Sequence, residues 1–190
     1  MAPPIVTATL QAAVINAASN IVAQAITAYR SQTPLQLDYT ALGQFTAVAL
    51  INTPPTYLWM VNLESTFPGQ RTVTQDSHPK KSDDEKKKNG QAEQKLHVRN
   101  TIIKVIIDQT IGASGMLILF LSTITILRGG TVEDIFQTVQ NEYWPIMLAG
   151  LKVWPPVSLL SFTLIPVDKR MLFGSTCGFI WAIYLSLATA

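Results

Sequence analysis

The sequence predicts an all-α fold: a transmembrane bundle of four to five hydrophobic helices, some kinked by proline, plus one short amphipathic helix. Three observations predict it. Only 14% of the residues are charged, against 48% that are apolar. Half of the Lys, Arg, Asp and Glu residues fall between Gly69 and Arg99, whereas a soluble domain spreads charge over a surface that meets water everywhere. No charge occurs from Ala2 to Tyr29 or from Met171 to Ala190, and none lies between Asp108 and Arg128. An apolar run of about 18 residues is long enough to cross a ~30 Å hydrocarbon core as a helix.

Segment one, Pro4 to Ala28, carries Asn16, Asn20 and Gln24. Their spacing of four puts the amides on one helix face, where they suit either bonds to neighbouring helices or the polar wall of a pathway. Segment two, Tyr39 to Leu63, contains Pro54-Pro55. The missing N–H groups and the ring clash predict a kink or break near Asn52-Thr53. Trp59 sits towards its far end, at an interfacial position. Residues 69–99 have too few apolar side chains to fold alone and read as a polar, disordered loop. Its lysines suit a solvated linker, anionic lipid or a targeting receptor.

Segment three, Thr101 to Leu127, has Lys104 and Asp108 four apart on one face, followed by Gln109. Arg128-Gly129-Gly130 ends it. Thr131 to Asn141 reads as a short interfacial helix, with Thr131 and Asp134 at capping-box positions. Segment four, Tyr143 to Ile165, is interrupted at Trp144-Pro145 and at Trp154-Pro155-Pro156, and segment five runs from Met171 to Leu187. Residues 1–190 make one membrane domain. If all five segments span, the basic loop at 69–99 and the turn at 166–170 share the cytosolic or matrix side with the N-terminus.

Several function classes lack support in the residues. A net charge of +2, with no aromatic ladder, argues against nucleic acid. His78 and His97 have no ligands at metal spacing. The chain has no phosphate-binding loop, dinucleotide fingerprint or nucleophile–base pair, so neither a cofactor nor an enzyme is expected. The first basic residue, Arg30, comes too late for a cleavable presequence. A charge inside a membrane segment costs about 2.5–3.5 kcal/mol on insertion scales and is rarely idle. Lys104 and Asp108 are therefore expected to offset each other as an i,i+4 pair, acting as a gate or pinning segment three. Together with Asn16, Asn20, Gln24, Gln109 and Lys152, they form the candidate polar pathway. Arg170 reads as an interfacial anchor.

The second half resembles a known family, the twenty-two-kilodalton peroxisomal membrane proteins with their mitochondrial Mpv-seventeen and Sym-one branches. Lys104-x-x-x-Asp108-Gln109 resembles the family's K-x-x-x-D-Q. Trp144-Pro145, then Lys152-Val153-Trp154-Pro155, is similar to its tryptophan–proline signature. Phe162, Pro166 and Arg170 fall at the positions of N-F-x-x-V-P-x-x-x-R, and Trp181-x-x-Tyr184-Leu185-Ser186 is similar to W-x-x-Y-L-S. The first half matches more loosely, at Ala23-Gln24, Thr53-Pro54 and Trp59. Ser114 replaces a family proline, Ser158 and Ser161 replace a glutamine and an asparagine, and the loop at 69–99 is longer. The resemblance implies a multi-pass protein of the peroxisomal or, alternatively, the inner mitochondrial membrane, with weakly selective passage of solutes. The expected partners are the lipid bilayer, small hydrophilic solutes and further copies of the chain. The competing expectation is a structural or assembly factor.

Overall fold

The computed structural model describes residues 3–72, 94–96 and 98–188, and the side chains of 70–72, 94–96 and 182–188 stand outside that description. Among the described residues, six helices form a bundle. α1 (Pro4–Arg30) opens on Pro4, where the missing N–H would have been unpaired anyway. α2 (Tyr39–Thr66) is capped by Asp38, whose side chain accepts the Ala41 N–H at 2.9 Å. Of the kink or break expected near Asn52-Thr53, the break does not occur: α2 stays helical through Pro54-Pro55. Two side-chain hydroxyls bond Asn52 just before the prolines. Thr56 Oγ1 donates to the Asn52 carbonyl at 2.7 Å, and Thr123 Oγ1 donates to the Asn52 side chain at 3.0 Å.

The two ends of the polar loop are joined. Gln70–Thr72 (β1) pairs antiparallel with Gln94–Leu96 (β2). The charged core of the loop, including the lysine cluster at 80–88 and His78, lies outside the described residues. α3 (Val98–Leu127) is long and apolar, and a π-helical turn, Asp108–Gly112, interrupts its middle. Nothing in the apolar periodicity marks that turn.

α4 (Val132–Gly150) begins at the expected capping box. The Thr131 N–H donates to Asp134 Oδ2 at 2.7 Å, and the Asp134 N–H donates to Thr131 Oγ1 at 3.3 Å. The backbone and hydroxyl donors of Thr131 hold the exposed Asp134 carboxyl below its ordinary value. The amphipathic stretch is not a separate short helix. It continues through Trp144-Pro145, and the chain breaks only at 151–153, where α5 (Trp154–Leu164) leaves at 58° to α4. Pro155 and Pro156 occupy the first turn of α5, which requires no N–H donors. α6 (Val167–Ala188) follows Pro166 directly.

α1 lies on α2 and α6, α2 on α3 and α6, and α3 on α5 with its first half and on α4 with its second. Ala8, Ala12 and Ala13 are the buried apolar residues of α1, and such small side chains let helices approach closely. The rest of the burial pattern is inverted relative to a soluble protein. Leu10, Val14, Ile111 and Leu164 point outward, whereas the largest fully buried side chain among the described residues is Lys104. An apolar exterior around buried charge is what a hydrocarbon solvent selects. Among the described residues, α1 and α3 are each long and apolar enough to cross a membrane, and the bent pair α4–α5 is a third if it forms one span. α2 and α6 complete the bundle around them.

Candidate functional site

Two polar clusters lie on α3, one on each side of the onset of its π-turn. In the first, Lys104 Nζ donates to Glu64 Oε2 at 2.7 Å, and the Arg170 guanidinium binds the same oxygen. The exposures of the side chains are 0% for Lys104, 5% for Arg170 and 21% for Glu64. The aromatic ring of Phe162 lies 5.1 Å from Lys104 Nζ and 5.2 Å from Arg170 Cζ, so one ring face system serves two cations. Arg170 Nε also donates to the carbonyls of Ser161, at 3.2 Å, and Ile165, at 3.0 Å. The latter group is left open where Pro166 ends α5. Gly69 N–H donates to Glu64 Oε1 at 2.8 Å, and a Cβ on Gly69 would stand 2.7 Å from Lys104 Nζ. Glycine there lets the backbone close over the ion cluster.

The second cluster surrounds Asp108. Trp59 Nε1 donates to Oδ1 at 3.2 Å, Ser158 Oγ to Oδ2 at 2.7 Å and Gln109 Nε2 to Oδ2 at 3.1 Å. Gln109 also donates to Ser158 Oγ at 2.8 Å. Consecutive residues on a regular α-helix point about 100° apart. The wider π-turn beginning at Asp108 accompanies the reach of both Asp108 and Gln109 to one serine. Gly112, in the same turn, makes room for the indole: a Cβ there would lie 2.6 Å from Trp59 Nε1.

The expected Lys104–Asp108 pair is therefore replaced by two separate clusters. Lys104 reaches across to α2, and Asp108 is held by neutral donors from α2 and α5. Glu64 was missed. Its signal was present in the sequence as the lone charge between Tyr39 and Pro68. Arg170, expected at the interface, is buried in the first cluster.

The α1 amides face elsewhere. Gln24 Oε1 accepts the Asp38 N–H at 2.7 Å and Gln24 Nε2 donates to Asn20 Oδ1 at 2.7 Å, fastening the turn between α1 and α2. Asn16 bonds the Ala12 carbonyl of its own helix. Lys152 is exposed in the turn between α4 and α5. Of the motif residues, Trp144 is exposed and stacks edge-on with Tyr143. Trp154 lies against Gly150, Phe162 is buried, and Pro145 is inside α4. Trp181 is half-buried in α6, and the side chain of Tyr184 falls outside the described residues.

A cavity of about 400 Å³ opens beside the second cluster. Asp108, Gln109, Ser158 and Arg170 line it together with Trp59, Trp154, four methionines and other, mostly apolar or small, side chains. The arrangement can hold a molecule with one polar end.

Residues 125–186 match the Mpv17 / PMP22 family. The chain is 32% identical over 89 residues to Protein SYM1 of Yarrowia lipolytica, covering 47% of this chain and 44% of that one. It is 36% identical over 87 residues to the Mpv17-like protein of Bos taurus, covering 46% and 43%. To PXMP2/4 family protein 3 of Dictyostelium discoideum it is 29% identical over 184 residues, covering 97% and 83%. The first two matches thus span less than half of each relative's length. No solved structure matches the chain.

Proposed function

We propose that this chain, whose residues 125–186 match the Mpv17 / PMP22 family, is a membrane protein of that family and a weakly selective channel or permeability factor for small hydrophilic solutes. The observation that supports this most is the Glu64–Lys104–Arg170 cluster beside the cavity at Asp108. Three helices contribute charge to one buried point. Apolar packing would hold the same helices without the desolvation cost. In this reading the cavity is the vestibule and the ion cluster is the closure. The expected result is that reconstituted protein passes small solutes across a planar bilayer and that Asp108→Ala alters the conductance. A silent bilayer containing correctly folded protein contradicts the reading.

A second reading, a non-enzymatic structural or assembly factor, is favoured by α4. Val132, Phe136 and Trp144 there are 70%, 63% and 63% exposed. It requires stable co-purification with a membrane partner and no solute flux. The location proposed is the peroxisomal membrane, with the mitochondrial inner membrane as the alternative, and imaging of a tagged chain decides between them.

A further inference from the structure

We propose that the cavity at Asp108 is a binding site for an organic ammonium compound, with the ammonium on the Asp108 carboxylate and the apolar part among the methionines. The argument starts with charge. Both Asp108 oxygens accept from N–H groups, Trp59 on Oδ1 and Gln109 on Oδ2, with the Ser158 hydroxyl as the third donor. All three partners are neutral. The neighbouring cations Lys104 and Arg170 pair with Glu64, and among the described residues Asp108 makes no ion pair. A half-buried carboxylate that faces a largely apolar cavity without a counter-ion is a favourable position for a cation. Arg170 borders the same cavity, but its guanidinium is committed to Glu64 and to the carbonyls of Ser161 and Ile165.

The remaining wall fits the rest of such a molecule. Trp59 and Trp154 line the cavity, and indoles attract cations at their faces. Every methionine after Met1, namely Met60, Met116, Met147 and Met171, lines this one cavity. Flexible, polarizable thioethers adapt to apolar groups of varied shape. At about 400 Å³ the space falls within the range of small-molecule pockets and exceeds the needs of an inorganic ion. The site shares the cavity of the proposed pathway but does not depend on passage. Binding without flux would uphold the site and remove the pathway, and flux without amine preference would do the reverse.

The test uses the full chain in phosphatidylcholine nanodiscs, titrated with hexylammonium, hexanol and hexanoate, and read by tryptophan fluorescence against empty discs. Saturable binding of hexylammonium is expected, about tenfold or more tighter than hexanol or hexanoate, as suits a charge-assisted hydrogen bond. Asp108→Asn, which keeps the shape and an acceptor oxygen, should abolish that preference. Met116→Trp, which fills the apolar end and leaves Asp108 untouched, should abolish binding of all three, so the proposal stays testable if the first variant misfolds. Equal affinity for the three probes, or tightest binding of hexanoate, overturns it. Replacing part of the lipid with phosphatidylethanolamine identifies the source of the ammonium group. Loss of hexylammonium binding assigns the site to a lipid amine, and unchanged binding assigns it to a free one.

Discussion

Glu64 Oε2 receives two cations, and neither Lys104 nor Arg170 has another carboxylate among the described residues. Glu64→Gln would leave both cations buried without a counter-charge. Breaking a buried pair in this way costs about 3 kcal/mol or more, so a marked fall in the detergent melting temperature is expected. Adding Lys104→Met should recover part of that loss, because one unpaired cation is then removed. Equal melting of wild type and Glu64→Gln would show that the cluster is not coupled to the fold. Gly112 gives a second prediction. Gly112→Ala pushes the Trp59 indole off Asp108, at a cost of about 1 kcal/mol for the lost hydrogen bond. The tryptophan emission should shift, and an unchanged spectrum would mean that the indole does not sit against Gly112. That Lys104 and Asp108 need polar partners was legible because charge in an apolar run is expensive. Their partners were not, since Glu64 and Ser158 are 40 and 50 residues away in the chain.

At the scale of elements, the helices were legible where apolar runs and caps agreed. α1 starts at the expected proline, and the Thr131–Asp134 box opens α4 where the residues place it. Prolines were the harder signal. Pro54-Pro55 and Pro145 stay inside helices, whereas Pro155-Pro156 start one. A proline excludes one hydrogen bond, and whether the helix ends there depends on what else can bond the freed carbonyls. The carbonyls that Pro54 and Pro55 free are those of Leu50 and Ile51, and sequence spacing alone does not reveal what packs around them. For the cap, Thr131→Ala should destabilise α4 by about 1 kcal/mol, read by thermal melting. The pH dependence has a definite sign. The Asp134 carboxyl is held below its ordinary value of 3.8 in the folded chain. Its contribution is therefore complete above that value and is lost as pH falls below it. An acid titration of helicity in which Thr131→Ala and wild type lose structure in parallel would contradict this role for the cap.

For the whole molecule, the inversion of polarity organises everything else. Apolar side chains face outward, and the most deeply buried large side chain among the described residues is a lysine. The composition made the membrane bundle legible, and the family resemblance from Lys104 to Ser186 overlaps the matched residues 125–186. The single polar pathway expected from α1, α3 and Lys152 was not recovered. The α1 amides fasten a turn, Lys152 is exposed, and the polar interior is divided between an ion cluster and a cavity. In the proposed reading the closure is the cluster and the solute-holding space is the cavity at Asp108. Flux of a small uncharged solute from proteoliposomes, measured for wild type, Glu64→Gln and Glu64→Gln/Lys104→Met at matched amounts of folded protein, tests that assignment most directly. A slow leak through wild type that rises when Glu64 is neutralised is the expected result. Folded protein that leaks no faster than empty liposomes in all three forms would contradict it.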